Sequence, residues 1–187
     1  MAGASPTPDP DLLLIHAMAH GDKRAVSELY TRHGSYILSY LIGQLGGDRQ
    51  LAEEVLQDVM LAAWNGASGF RAESKVKTWL IAIARLKALN VRRKHTLTNT
   101  LLHDNIKSDE TGQIKKVERA DDQAAVRKAL LQLPADQRET LELIFFHELT
   151  GPEAAEVLGV SPGTVKSRIH RAKQALRGIL LQMEVDL

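Results

Sequence analysis

Residues 150–172 read TGPEAAEVLGVSPGTVKSRIHRA, and nearly every position signals one of two short helices joined by a tight turn. Thr150 is placed to cap the first helix, Glu153 three residues on can reach back to it as in a capping box, and Pro152 is tolerated in a first turn. Ala154, Ala155 and Leu158 supply a small, apolar inner face. Gly159 can adopt the left-handed conformation that stops a helix, Val160 plugs the gap, and Ser161 with Pro162 caps and starts the next. The second helix presents Thr164, Lys166, Ser167, Arg168, Arg171 and Lys173 on its polar side, with Val165, Ile169 and Ala172 turned inward. This is a helix-turn-helix pattern, whose second helix lies in the DNA major groove, where Arg and Lys bond guanine edges or phosphates. The bland alternative is a helical hairpin with a basic exterior.

The rest of the 187 residues is just as helical in pattern. Aromatic residues are only 4% and apolar residues recur three and four apart, which predicts almost no sheet. Helices are expected over 11–20 (Leu12, Ile15 and Ala19 on one face), 23–45 and 49–64 (Leu51, Val55, Val59 and Ala62 inward). A Gly-bounded loop covers 66–76, and a further helix covers 77–95, with Leu80, Ile83, Ala84 and Val91 inward. From Thr96 to Arg119 the periodicity gives way to Thr, Asn, Asp, Ser, Gly and Lys, the composition of a flexible linker too long for a loop inside a compact domain. Helical pattern resumes over 120–133 and 136–147, and two short helices follow. The expected fold is all-α: two small helical domains joined by a flexible linker, the C-terminal one holding the helix-turn-helix. Residues 1–10 form a disordered tail, 11–96 and 120–187 the domains, and 97–119 the linker.

Composition narrows the function. With no Cys there is no disulfide framework, thiolate metal site or thiol nucleophile. No window approaches about 18 uninterrupted apolar residues, and MAGASPTPDP lacks the basic and apolar runs of a signal peptide, so a soluble cytoplasmic protein with no membrane segment of its own is expected. The net charge of +1 hides two acid-free basic stretches, 74–95 (Lys75, Lys77, Arg85, Lys87, Arg92, Arg93, Lys94) and 163–177. Clustered cations without carboxylates are the footprint of a phosphate-binding surface, although solvated helix faces give the same pattern. Around 49–58 the sign reverses. Glu53 with Gln57 and Glu54 with Asp58 lie four apart, forming a polar stripe opposite Val55 and Val59.

Several of these stretches are shared with a known family. Leu133 to Leu143, Glu148 to Thr150 and above all Gly163 to Ala172 resemble the C-terminal promoter-binding domain of the sigma-70 family, extracytoplasmic-function (ECF) type. Ala52 to Trp64 is similar to its core-polymerase-binding helix, and Thr78 to Arg85 to the helix that engages the upstream promoter element at melting. The resemblance implies a sigma factor that binds core polymerase, directs it to minus-10 and minus-35 elements and promotes melting. Glu53, Glu54, Gln57 and Asp58 would dock on the beta-prime clamp helices. Phe70, Lys75, Lys77, Trp79, Arg85, Lys87, Arg92 and Arg93 would hold the unstacked minus-10 strand, with Trp79 either a base contact or core. Thr164, Lys166, Ser167, Arg168, Arg171 and Lys173 would read minus-35. Leu86 stands where the family commonly has Asn, and Asn90 where it has Asp. The beta flap and an anti-sigma factor are the other partners implied.

Two rival classes leave different marks. Nucleotide-binding and hydrolase motifs are absent, and Glu53 and Glu54, adjacent on a helix, diverge by about 100°. His16 and His20 are four apart and could share a metal, but a surface or partly buried histidine pair is the commoner outcome of this spacing, so no metal, cofactor or catalytic residue is expected. A stand-alone helix-turn-helix regulator would show a sensor-like N-terminal half, where this chain offers an acidic helix beside a basic one.

Overall fold

The computed structural model describes residues 9–102 and 128–185, with side chains over 9–96 and 128–182. Two compact units result, residues 1–112 and 113–187. Among the described residues every regular element is helical. The linker expected over 97–119 falls outside the described residues, apart from its first six, which continue a helix.

In the first unit α1 spans Leu12–Ala19, α2 Lys23–Gln44, α3 Arg49–Gly66 and α4 Val76–Leu102, with a 3₁₀ turn at Ala67–Gly69. Aspartates set two of the starts: Asp22 accepts from the Arg24 N–H and Asp48 from the Leu51 N–H. Gly46 and Gly47, at φ 68° and 86°, turn the chain between α2 and α3 at a conformation that side chains resist. α2, α3 and α4 pack on one another, and α1 lies on α2. Their shared core holds Leu29, Ile37, Tyr40, Leu41, Leu56, Val59, Leu80 and Ile81, each aliphatic side chain contributing about 2 kcal/mol by leaving water. The inward register of α3 is Ala52, Val55, Leu56, Val59, Met60 and Ala63, so Leu51 and Ala62, expected inside, lie at its margin. In α1, Met18 is buried and Ala19 exposed.

The second unit begins, within the described residues, with helical turns at 128–131. Then come α5, Ala135–Leu141, a π-helical turn at Glu142–Phe146, α6, Gly151–Leu158, and α7, Pro162–Val185. Leu130, Leu133, Leu141 and Ala172 form one buried cluster, flanked by Ile169, Ala175, Leu176 and Ile179, and Leu143, Leu149, Val157, Leu158 and Val165 are buried as well. The last helix is not short: its 24 residues keep an apolar stripe through Ile179, and both α5 and α6 pack against it.

Candidate nucleic-acid and polymerase interfaces

The helix-turn-helix is built as its residues dictate. Thr150 Oγ1 accepts from the Glu153 N–H, and the Glu153 carboxylate accepts from the Thr150 N–H at 2.7 Å, completing the capping box. Gly159 ends α6 at φ 67°. Ser161 Oγ accepts from the Thr164 N–H at 3.1 Å to start α7. Val165 and Ala172 are buried and Ile169 half-buried, which turns Lys166, Ser167, His170, Arg171 and Gln174 to solvent.

The expected readers of α7 divide by environment. Lys166 is exposed. Thr164 Oγ1 lies 2.9 Å from Ser161 Oγ, within the cap. Ser167 donates back to the Thr164 carbonyl and Arg171 Nε to the Ser167 carbonyl, interactions within the helix that leave both side chains on the outer face. Lys173 Nζ sits 5.2 Å from the centre of the Phe145 ring. Arg168 is the exception: it leans across to α5, its Nε 3.2 Å from Asp136 Oδ2, with its side chain only 19% exposed. Its direction is set by a residue of another helix.

In the first unit Glu53, Glu54, Gln57 and Asp58 all lie exposed on α3. Glu53 is held by Arg49 at 2.8 Å. Glu54 and Asp58 share a face with Leu61, which is 59% exposed although it is apolar.

The loop between α3 and α4, expected over 66–76 and observed over 67–75 with a 3₁₀ turn at its start, and α4 itself carry the cationic surface. Phe70 and Trp79 rings lie 4.7 Å apart, tilted by 39°, and Trp79 also backs onto Gly66. Both are half-buried, so the loop ring of Phe70 and the α4 ring of Trp79 cover part of one another and keep part of their surface open. Lys77 is half-buried with Nζ 4.0 Å over the Tyr36 ring of α2, which directs it to a protein surface. Lys75, Arg92, Arg93 and Lys94 are exposed, and Arg85 and Lys87 half-buried. Leu86 and Asn90 are exposed on the same outer face.

Residues 29–98 match the sigma-70 region 2 family and residues 123–176 the sigma-70 region 4 family. The ECF RNA polymerase sigma factor SigM of Mycobacterium tuberculosis is 33% identical, over 92% of this chain and 84% of its own. This chain belongs to the sigma-70 family. It is an RNA polymerase sigma factor of the ECF type, a DNA-binding transcription initiation factor. Two solved structures share the architecture. CnrH in complex with the cytosolic domain of CnrY covers 91% of this chain and 96% of its own, at TM-score 0.66 and 28% identity. The sigma factor RpoE of Bartonella quintana, in complex with the anti-sigma factor NepR, covers 82% and 95%, at TM-score 0.69 and 28% identity.

Three surface residues of this sigma factor escape the motif reading. His170 and Gln174 continue the outward line of Ser167 at three- and four-residue steps, a period legible in the sequence once the inward set is fixed. Leu61 is an apolar residue out of phase with the α3 core, and that mismatch is its signal. His16 and His20, the candidate metal pair, have rings 4.3 Å apart, and His20 Nδ1 bonds to the His16 carbonyl. Among the described residues no group of three potential ligands gathers to hold a metal. No described helix is long and apolar enough to cross a membrane.

Proposed function

We propose that this sigma factor docks on the polymerase clamp helices through Glu53, Glu54, Gln57 and Asp58. In this reading, the Phe70 loop and the cations of α4 engage the minus-10 strand, and α7 reads minus-35 through Thr164, Lys166, Ser167, Arg168, Arg171 and Lys173. The working division is 11–96 for core binding and minus-10, 97–119 as linker and 120–187 for minus-35, with 1–10 ahead of them. The protein acts in the cytoplasm, without catalysis of its own, and an anti-sigma factor holds it inactive. The observation that carries the site assignment is the order of the surfaces: an exposed acidic stripe, a basic helix behind an aromatic-bearing loop, then a fully capped helix-turn-helix. Solved relatives bound to CnrY and to the anti-sigma factor NepR support the last partner.

Run-off transcription over a fragmented genomic library, with bacterial core polymerase and with or without this protein, tests the reading. Discrete new start sites are expected only when both are present. Tight binding of a palindrome by the free protein, with no core association, would instead identify a stand-alone regulator.

The site makes a finer claim. Arg171→Ala is expected to weaken minus-35 recognition about tenfold, the lower part of the roughly 1–3 kcal/mol carried by a good base contact. Asp136→Ala removes the partner that aims Arg168, an effect of about 1 kcal/mol or less. Its minus-35 affinity is expected to fall about threefold, an effect that disappears when Asp136→Ala is made in the Arg168→Ala background. Additive losses in a gel-shift titration would show that Asp136 does not act through Arg168.

A further inference from the structure

The short segment ahead of α1 ties together the elements around the Phe70 loop. Asp9 Oδ2 accepts from the Val76 N–H at 2.7 Å, and Asp9 Oδ1 accepts from the Asp11 N–H at 3.0 Å. The Asp9 carbonyl accepts from the Leu12 N–H, the first residue of α1. Asp11, only 7% exposed, turns its carboxylate to α2, taking hydrogen bonds from Arg32 Nη1 at 2.8 Å and from His33 Nε2 at 2.6 Å. Hydrogen bonds to Glu28 and then to Asp11 push the Arg32 guanidinium up from its ordinary value, so it remains a charged partner.

Val76 opens α4, and the first N–H groups of a helix need acceptors. The side chain of Lys75, just before it, cannot accept, and the first turn of α4 holds no acidic residue. The acceptor comes from a residue 67 positions away, and its negative charge suits the positive end of the helix dipole. Between α1 and the loop lies an open groove of about 750 Å³, walled by Leu12, Leu13, His16 and His20 on one side and by Phe70 and Ala72 on the other. Ala72 stands at φ 55°, a conformation non-glycine residues adopt only when their surroundings enforce it. The Phe70–Trp79 contact fixes one side of this loop. The Asp9–Val76 bond fixes the point where the loop becomes α4.

We propose that Asp9 is a positioning residue for strand capture: by joining the start of α1 to the start of α4, it holds the loop and its groove in the shape that receives the unpaired minus-10 strand. The proposal rests on the minus-10 reading above.

The test uses full-length Asp9→Ala and Asp9→Asn with core polymerase on a promoter recovered by run-off selection, with Phe70→Ala in parallel. Core affinity is titrated, and strand opening is read from permanganate reactivity of minus-10 thymines. Asp9→Ala is expected to lower opening at least tenfold while core affinity stays within twofold. Asp9→Asn is expected to fall between, near threefold, because an amide keeps one acceptor oxygen for two N–H groups. Wild-type opening in Asp9→Ala, or core affinity falling in step with opening, overturns the positioning role. If Asp9→Ala does not fold, Asp9→Asn decides alone by the same two readouts. Loss of opening in Phe70→Ala but not in the Asp9 variants rejects only the role of Asp9. Wild-type opening in Phe70→Ala rejects the loop reading, and the role of Asp9 with it.

Discussion

Reversing Glu54 and Asp58 to Arg together is expected to lower affinity for core polymerase by at least a hundredfold while leaving the melting temperature nearly unchanged. Both side chains are exposed on α3, and the helix is held by Val55, Leu56, Val59 and Met60 on its opposite face, so the substitutions leave the fold's own contacts in place. At an interface, like-charge juxtaposition costs several kcal/mol, and about 2.7 kcal/mol already corresponds to a hundredfold. Glu53 is a weaker target because Arg49 at 2.8 Å already satisfies it within the helix. The loss should shrink as salt is raised, since exposed charges are screened beyond about 8 Å at physiological ionic strength. Titration of labelled protein against core at two salt concentrations measures both effects. An unchanged dissociation constant at low salt would remove this stripe from the docking surface.

What was legible in the sequence is what depends on near neighbours. Thr150 with Glu153, Gly159, and Ser161 with Thr164 each act within three residues, and the structure has every one of them as the sequence implied. Helix faces follow the same logic, with errors of a single position where two candidates compete, as for Met18 against Ala19. Contacts across long separations leave no such trace. Asp136 meets Arg168 from another helix, and Asp9 meets Val76 over 67 residues; nothing near either aspartate in the sequence points to its partner. Asp9 and Pro10 accordingly read as part of a disordered tail, yet they are placed against the fold by the bonds of Asp9 and Asp11. The run ELIFF at 142–146 shows the converse failure. It reads as part of a regular helix over 136–147, but a π-helical turn forms there, keeping Leu143 in the core while leaving Phe145 and Phe146 55% and 63% exposed.

The other large effect concerns Ala172, where the core of the second unit tolerates no polar atom. Its side chain is fully buried in the cluster with Leu130, Leu133 and Leu141, and Ile169, Ala175, Leu176 and Ile179 close around it. Ala172→Glu would place a longer, ionisable chain where these neighbours are apolar. Such a burial exceeds about 4 kcal/mol, comparable with the few kcal/mol that hold a small helical domain together. The second unit is therefore expected to unfold. The first has its own core of Leu29, Ile37, Tyr40, Leu41, Leu80 and Ile81, so it should survive and keep binding core polymerase through Glu54 and Asp58. Calorimetry and circular dichroism should then show a partial loss of helix with one remaining transition, and minus-35-dependent transcription should vanish while core affinity persists. Retained helicity would mean that the packing around Ala172 yields to a glutamate. Simultaneous loss of core binding would mean that the two units do not fold independently.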